Sequence, residues 1–267
     1  MGTDTRVAWS VVIPVKVLAR AKSRLAGLAD ADREAVALAM AADTVAAAVA
    51  CQAVGDVVVV SDDSAIRTEA EALGAEVIAD RAHSGLNEAL SVGAEHATAR
   101  WPGRGLAALT ADLPALSSAE LTAALTAAST VTQAFVADAA GSGTTLYTAM
   151  PGAAFVPRFG PQSRMRHRQA GAVELDLPGI PGLRHDVDTL ADLQSAALIG
   201  LGSRTRSARE SIGSGPARSV AIPQDRQPPP RCERSGRSAS SLFLVRPGSA
   251  LPRADRAHRR SQLPRGL

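Results

Sequence analysis

The sequence predicts an α/β protein with a parallel sheet covered by helices on both faces. In the first half of the chain, short apolar runs rich in β-branched residues alternate with helical segments, as in βαβ units. The apolar runs are nearly continuous, which indicates strands that are buried on both faces. Lys16, Asp62 and Asp112 each follow one of these runs. Because ligands of open α/β sheets bind beyond the carboxyl ends of the strands, we expect the functional site there.

Each element of this first half is indicated by its own local pattern. Five strands are expected, at residues 7–15, 56–61, 75–79, 106–109 and 132–137. Helices are expected between them, at residues 30–50, 65–73, 86–100 and 117–128. Acids and serines at the helix starts are suited to capping: Asp30 or Asp32 for the first helix, the 62–64 segment for the second, and Ser117 or Ser118 for the fourth. Gly74 is expected to end the second helix.

The second half of the chain has a mixed pattern that predicts an α+β insert and not a separate domain. Residues 141–147 are typical of a tight turn that leads into a strand, and residues 163–170 of a short basic helix. Residues 184–189 are expected to be extended and to end in acids, with a closing helix at 190–201. The predicted folded domain is therefore residues 1–202.

Residues 203–267 are predicted to be a disordered tail. They contain fourteen arginines against four acids and are rich in Ser, Pro and Gly. The preceding 202 residues carry fifteen basic and twenty-two acidic side chains, so the positive net charge of the chain belongs to the tail. Nucleic-acid binding by the folded domain is therefore not indicated. The tail itself is either a solvated extension, which its composition favours, or a contact for nucleic acid or an acidic partner.

Several protein classes are excluded by composition. The two cysteines give neither a disulfide framework nor a zinc pattern. The first residues lack the pattern of a signal peptide, and no apolar run reaches the roughly 18 residues that span a bilayer. We therefore expect a cytoplasmic protein without a membrane segment.

The loop after the first strand is the first candidate site. Lys16 and Lys22 are the only lysines of the chain, and Arg24 follows them closely. A lysine ammonium suits a phosphate as a compact point charge. The loop lacks the glycines of a Walker A motif or a dinucleotide fingerprint, so its side chains would carry the binding. We interpret it as a triphosphate-binding loop; the alternative is a solvated surface loop.

Three aspartates form the second candidate site. Asp112 follows the fourth strand, while Asp186 and Asp188 are two residues apart and would face the same side of an extended segment. Carboxylates at such positions can hold a divalent metal between phosphates. The alternatives are that Asp112 is a turn residue and that Asp188 caps the helix beginning near Thr189.

A third group of residues is suited to a small anionic substrate. The residues that precede or begin the basic helix are Thr144, Thr145, Gly160 and Ser163. The cations of that helix are Arg164, Arg166, His167 and Arg168. Asn87 is either a contact to the base or ribose of a nucleotide or a residue of an ordinary helix start. Three further histidines, His83, His96 and His185, are scattered, and we assign them no metal role.

An ordered set of motifs resembles a known family. The motifs are Ile-Pro-Val-Lys (13–16), Ala-Lys-Ser-Arg-Leu (21–25), Gly-Leu-Asn-Glu-Ala-Leu (85–90), Asp-Leu-Pro (112–114), Phe-Gly-Pro-x-Ser-x-x-x-His (159–167) and Asp-Val-Asp-Thr (186–189). Over about residues 7–201 the chain resembles the 2-phospho-L-lactate / phosphoenolpyruvate guanylyltransferases of coenzyme F420 biosynthesis. The resemblance implies a nucleotide-diphosphosugar-transferase-like (GT-A, Rossmann-like) fold with a mixed, mostly parallel sheet. It also implies GTP and Mg²⁺.

The resemblance also implies roles for individual residues. Asp112 and Asp188 are similar to the metal carboxylates, with Asp186 as a substitute. The catalytic triphosphate loop would supply Lys16, Lys22 and Arg24. Further nucleotide contacts would come from Ser23 and Asn87. The phosphorylated acid would be held by Thr145, Gly160 and Ser163.

The implied reaction joins GMP from GTP to phosphoenolpyruvate or 2-phospho-L-lactate and releases pyrophosphate. Since the acceptor is already a phosphate, largely dianionic at neutral pH, it needs no general base. We also consider another nucleotidyltransferase of the same fold, such as a molybdopterin nucleotidylyltransferase, and a non-catalytic nucleotide-binding protein. A third alternative is an interaction protein that acts through its arginine-rich tail. For the assembly we consider a homodimer.

Overall fold

The structure is a computed structural model that describes residues 8–18, 25, 28–80 and 85–214. All of these belong to the first of the two units into which the chain divides, the division falling after residue 218. The strands are β1 (Trp9–Pro14), β2 (Val54–Val60), β3 (Glu76–Ile78), β4 (Gly105–Leu109), β5 (Gln133–Ala137), β6 (Thr144–Ala149) and β7 (Val173–Glu174). The helices are α1 (Asp30–Val49), α2 (Ser64–Ala72), α3 (Leu86–Arg100), α4 (Ser118–Ala128), α5 (Ser163–Gln169), α6 (Pro181–Arg184), α7 (Leu190–Ile199) and α8 (Ser203–Ser214).

The seven strands form one sheet in the order β3-β2-β1-β4-β6-β5-β7. The pairs β1–β2, β1–β4, β2–β3 and β5–β7 are parallel, whereas β6 runs antiparallel to both β4 and β5. The expectation of a mixed, mostly parallel sheet is therefore confirmed. The five strands predicted in the first half are all present, but β5 does not pair with β4, because β6 is inserted between them.

Alternate residues of β1 enter two cores on opposite faces of the sheet, which explains why every residue of this strand is buried. Val11 and Ile13 pack in a cluster that includes Val45 of α1. Val12 packs in a second cluster with Leu90 of α3. Helices therefore cover both faces, as the continuous apolar runs predicted.

Within the described residues, the residue just before the helix supplies a side-chain cap at α2, α4 and α7. The cap expected for α1, from Asp30 or Asp32, is wrong. The predictions for α2 and α4 are confirmed, since Asp63 caps α2 and Ser117 forms a capping box with Glu120 at α4. The start of α1 differs, because Asp30 lies inside the helix and Ala29 precedes it without a side-chain cap. At α7 the cap is Thr189, paired with Asp192, so the alternative in which Asp188 caps this helix is wrong.

The structure also contains a helix where the sequence indicated disorder. Helix α8 spans Ser203–Ser214, the first part of the predicted tail; residues 215–267 of that tail lie outside the described residues. The carboxylate of Asp43 on α1 accepts the backbone N–H groups of Arg204 (3.2 Å) and Thr205 (2.8 Å), and so caps α8 from a neighbouring helix. Ala208 and Ile212 pack against the adjoining apolar cluster. A cap and a core supplied by distant residues stabilise this helix, and its own composition gives no sign of them.

Across the described part of the chain, no helix combines the length and apolar character that crossing a bilayer requires.

Candidate functional site

A cleft of about 330 Å³ opens at the carboxyl ends of β1 and β2, beside the first turn of α3. Exposed Lys16 lines it on the β1 side, and Asp62 and Asp80 line it on the β2 and β3 side. Gly85 and Leu86, at the start of α3, complete the lining. This is where a parallel sheet is expected to bind its ligand, and it contains the first predicted site residue.

The beginning of the cationic loop is held in place by Asp63. One carboxylate oxygen of Asp63 accepts the N–H of Leu18 (3.0 Å), while the other caps α2 by accepting the N–H of Ala65 (2.9 Å). The backbone on both sides of Lys16 is therefore anchored, by this bond and by the bond from Val15 N–H to Val60 O (2.9 Å). Lys22, Ser23 and Arg24, the other predicted residues of this loop, lie outside the described residues.

The second group of predicted residues comes together at the end of β4. The N–H of Val187 donates to the carbonyl of Asp112 (3.0 Å), which places the 186–188 segment beside the β4 exit. Val187 is buried, and Asp186 and Asp188 on either side of it are half-buried. Burial raises the pKa of Asp186 to about 7, and the charges of Asp112, Asp138 and Asp188 add to the shift in that order. Asp112 thus affects Asp186 more strongly than Asp188 does.

Asp138 belongs to the same acidic group, although it was not among the predicted site residues. Its carboxylate accepts the N–H groups of Ser142 (2.9 Å) and Gly143 (2.8 Å), so it closes the turn between β5 and β6. An acid at a strand end before a Gly-Ser-Gly turn is the sequence signal that would have located it.

The cleft and the acidic group lie at the ends of neighbouring strands. In the β1–β4 pair, Val12 is opposite Ala108. Lys16 comes four residues after Val12, and Asp112 comes four residues after Ala108. Because β1 and β4 are adjacent and parallel, the segments that carry Lys16 and Asp112 leave the same edge of the sheet from neighbouring strands. That placement is compatible with one ligand that contacts both groups.

The acidic group fits a hard divalent cation that takes further ligands from phosphate and water. Mg²⁺ is usually held by one or two carboxylates together with substrate phosphates. Asp112 and Asp186 provide two carboxylates whose mutual repulsion such a cation would relieve. Within the described residues, no three His, Cys, Asp or Glu side chains form a ready-made metal cage. Two carboxylates would leave other positions of such an ion open to phosphate and water.

The residues predicted to bind a phosphorylated acid lie around the starts of β6 and α5. Thr145 is buried, and its hydroxyl has no hydrogen-bond partner within the part of the chain that the structure describes. Gly160 has a φ of 111°, which favours glycine, and its carbonyl accepts the N–H of Ser163 (3.1 Å), the first residue of α5. The bond from Arg164 N–H to Ser142 O (3.3 Å) connects α5 to the turn before β6.

The basic run on α5 makes internal contacts. Arg164 and Arg168 both pair with Glu174, at 2.9 Å and 3.8 Å, and Arg164 also donates to the carbonyl of Gly141 (3.0 Å). Arg166 donates to the carbonyl of Phe159 (2.9 Å). These bonds hold the region together, and the expected contact between this run and an anionic substrate stays a prediction.

His167 is a neutral residue of the core. The backbone N–H of Arg158 donates to Nε2 (2.9 Å), so the ring proton is on Nδ1, where Oγ1 of Thr144 lies 3.0 Å away as its acceptor. The ring is fully buried and stacks on Tyr147. Burial lowers the pKa of His167 to about 4, and the charges of Arg166 and Arg158 contribute in the same direction.

Asn87 is bound at both ends of its amide. Its Nδ2 donates to the carbonyl of Phe159 (3.1 Å), and its Oδ1 accepts the N–H of the same residue (2.7 Å). Asn87 thereby fixes the loop that leads into Gly160. Its predicted contact to a nucleotide stays a prediction.

Comparisons with known proteins identify the family of the chain. A family model described as "Guanylyl transferase CofC like" matches residues 9–213. The chain belongs to the CofC-like guanylyl transferase family. A relative from Thermomonospora curvata, named phosphoenolpyruvate guanylyltransferase, is 54% identical over 202 residues, covering 76% of this chain and 89% of the relative. A relative of the same name from Streptomyces coelicolor is 54% identical over 198 residues, covering 74% and 93%.

The fold of this CofC-like protein also has a solved counterpart. A putative nucleotide-diphospho-sugar transferase from Desulfovibrio desulfuricans superposes with a TM-score of 0.57 at 14% identity, covering 77% of this chain and 95% of that one. The fold expected from the resemblance is thereby confirmed. The family membership also confirms that the protein is a nucleotidyltransferase of the guanylyl-transferring type.

Proposed function

We propose that this protein transfers GMP from GTP to phosphoenolpyruvate, or alternatively to 2-phospho-L-lactate, with release of pyrophosphate in coenzyme F420 biosynthesis. The observation that carries the proposal is that Lys16 and Asp112 leave adjacent parallel strands in corresponding positions. A cation beside a group of carboxylates suits a triphosphate that arrives with a divalent metal. The choice of phosphoenolpyruvate as first candidate rests on the names of the relatives at 54% identity.

In this proposal the nucleotide occupies the cleft beside α3, and the acid binds on the β6 side. Lys16, with Lys22 and Arg24, binds the phosphates that leave as pyrophosphate, while Ser23 contributes a nucleotide contact. Thr145, Gly160 and Ser163 bind the phospho-acid. The buried hydroxyl of Thr145 supports this role, because it lacks a hydrogen-bond partner among the described residues.

The metal is proposed to be Mg²⁺, held by Asp112 with Asp186 or Asp188. When bound, it would act as a Lewis acid that neutralises phosphate charge at the reacting centre. The carboxylates of the chain fix where that charge is neutralised. Their placement beside the β4 exit agrees with a site between the nucleotide and the acceptor.

The chemical step needs alignment and charge compensation more than proton transfer. A phosphate oxygen of the acceptor forms a bond to the α-phosphorus of GTP, and the bond between that phosphorus and the bridging oxygen breaks. The electron pair of the broken bond leaves with pyrophosphate, where the cationic loop takes up the developing charge. Because the acceptor is already largely dianionic, no side chain is required to remove a proton.

An assay of pyrophosphate release tests the proposal. Purified protein is incubated with Mg²⁺, GTP and either phosphoenolpyruvate, 2-phospho-L-lactate or a phospho-acid whose phosphate is one carbon further from its carboxylate. We expect rapid release with GTP and phosphoenolpyruvate, and little without an acid or with ATP or CTP in place of GTP. Release that is independent of the acid, or equal with all three nucleotides, would contradict the proposal.

A further inference from the structure

Thr44 of α1 contacts the backbone on both sides of Asp112. Its hydroxyl oxygen accepts the N–H of Leu113 (3.2 Å). Its single proton is shared between the carbonyl of Met40 (2.9 Å), one helical turn earlier, and the carbonyl of Ala111 (3.3 Å). One fully buried side chain, 69 residues away in the sequence from Leu113, therefore bonds to both peptide groups that flank Asp112.

These bonds restrict the direction in which the Asp112 side chain can point. The two flanking peptide planes determine where the Cα–Cβ bond of a residue is directed. Leu113 is buried in the main core and anchors the turn from the other side. Without the Thr44 hydroxyl, the buried N–H of Leu113 would lose its acceptor, and the turn would shift to find another.

The preceding residue of α1 reaches the same turn by a second route. Asp43 caps α8 through Arg204 and Thr205, and the N–H of Gly202, just before α8, donates to the carbonyl of Pro114 (2.8 Å). A Cβ on Gly202 would lie 2.3 Å from Cγ of Asp43, so only glycine allows this close approach. Thr44 thus contacts the segment that carries Asp112 directly, whereas Asp43 contacts the residues around Gly202 that bond to it.

We propose that Thr44 is a positioning residue that orients the Asp112 carboxylate toward the divalent cation. The proposal rests on the proposed function, in which Asp112 holds that cation. Thr44 touches neither substrate nor metal and acts through the backbone of Asp112. Errors of about 1 Å in a reacting geometry can lower rates by roughly a hundredfold, so a buried hydroxyl at this position is expected to affect the chemistry.

Substitution of Thr44→Val tests the proposal, because valine keeps the volume and removes the hydroxyl. Binding of Mn²⁺ in the presence of GTP is followed by electron paramagnetic resonance of the free ion, alongside steady-state kinetics. We expect the dissociation constant for Mn²⁺ to rise about tenfold and kcat to fall by roughly ten- to a hundredfold. The KM for the phospho-acid should change by less than about threefold, because Thr44 does not contact that substrate.

Two further variants separate positioning from general stability. Thr44→Ser retains the hydroxyl and is expected to restore Mn²⁺ affinity and kcat to within about threefold of the wild type. Thr148→Val is the matched control, since Thr148 is equally buried, donates to the carbonyl of Ala134 (3.3 Å) and pairs with Ala107 inside the sheet. Thr148→Val is expected to lower stability without changing Mn²⁺ affinity.

Should Thr44→Val be recovered unfolded, Thr44→Cys replaces it, because a thiol keeps the volume but accepts hydrogen bonds poorly.

A double variant gives the decisive comparison. If Thr44 acts through Asp112, then Thr44→Val combined with Asp112→Asn should bind Mn²⁺ no more weakly than Asp112→Asn alone. Additive losses, or a folded Thr44→Val protein with wild-type Mn²⁺ affinity and kcat, would overturn the inference. The wild-type protein tests the proposed function separately. If it neither binds Mn²⁺ with GTP nor releases pyrophosphate, the proposed function fails before the role of Thr44 is tested.

Discussion

The basic run on α5 and the acidic group at the end of β4 are both concentrations of like charge, yet their surroundings differ. Arg164 and Arg168 share the carboxylate of Glu174, and the one histidine of the run is buried and neutral. Around Asp186, by contrast, the charges that shift its pKa come from other aspartates. The first arrangement pairs two of its arginines with a carboxylate, while the second brings aspartates close enough to raise the pKa of one of them.

This difference indicates where the chemistry is located. Carboxylates brought together against their mutual repulsion cost folding free energy, so such a group is a candidate for ligand binding. Charges that pair with one another and with backbone carbonyls stabilise the fold instead. Asp112 and the 186–188 segment are therefore expected to control activity, whereas Arg164 and His167 of the basic run are expected to contribute to stability.

The largest expected effect is that of Asp112→Asn on activity. Because this change removes a proposed metal carboxylate, we expect kcat/KM to fall by at least about a hundredfold. The variant is expected to fold, and the substitution also lowers the repulsion on Asp186. Steady-state kinetics of pyrophosphate release, together with thermal unfolding of the metal-free protein, measure the two quantities.

Asp138→Asn is the control for this comparison, because it lies in the same acidic group. An amide NH₂ in place of one carboxylate oxygen would face the N–H of Ser142 or Gly143, so the turn should lose about 1–3 kcal/mol of stability. The folded fraction should keep its activity within about threefold. If Asp138→Asn inactivated the enzyme as strongly as Asp112→Asn, charge alone, and not metal contact, would explain both.

Local sequence patterns predicted most of the strands and helices, and they placed Lys16 and Asp112 at one edge of the sheet. They missed the features that depend on partners distant in the sequence. The contact of Thr44 with Leu113 spans 69 residues, and that of Asp43 with Thr205 spans 162. Neither has a local signal, because a buried helical threonine or aspartate looks like any other until its partner is known. The insertion of β6 between β4 and β5 was missed for the same reason.

The second expected effect concerns stability, and it arises from His167. Because the folded pKa of about 4 lies below the ordinary value of 6.5, the unfolded chain binds a proton more readily in this range. The contribution of the neutral ring to the free energy of unfolding is therefore fully present above about pH 6.5, and it is lost as the pH falls toward 4. Between pH 7.5 and pH 5 this single group should remove about 2 kcal/mol from the free energy of unfolding.

His167→Gln removes the pH-dependent contribution of His167 to stability, because glutamine does not titrate. Its side-chain oxygen can still accept the N–H of Arg158. Urea unfolding of both proteins at several pH values gives the comparison. The variant should be less stable at pH 7.5 but should lose less stability on acidification, by about 2 kcal/mol. Parallel pH profiles for the two proteins would show that His167 has the same pKa in the folded and unfolded states, and the structural role assigned to it would be wrong.

The smallest effect tests the two kinds of cation against each other. Lys16→Gln removes an exposed cation that lines the cleft, and we expect kcat/KM for GTP to fall about tenfold, because the charge developing on pyrophosphate loses one partner.

Arg168→Gln removes one positive charge from an exposed side chain that pairs loosely with Glu174. Its kcat/KM should stay within about twofold of the wild type, and its stability within about 0.5 kcal/mol. The two variants change the net charge equally, so a long-range field effect would affect both, whereas a phosphate contact affects Lys16→Gln alone. Equal losses in the two variants would remove Lys16 from the proposed triphosphate site.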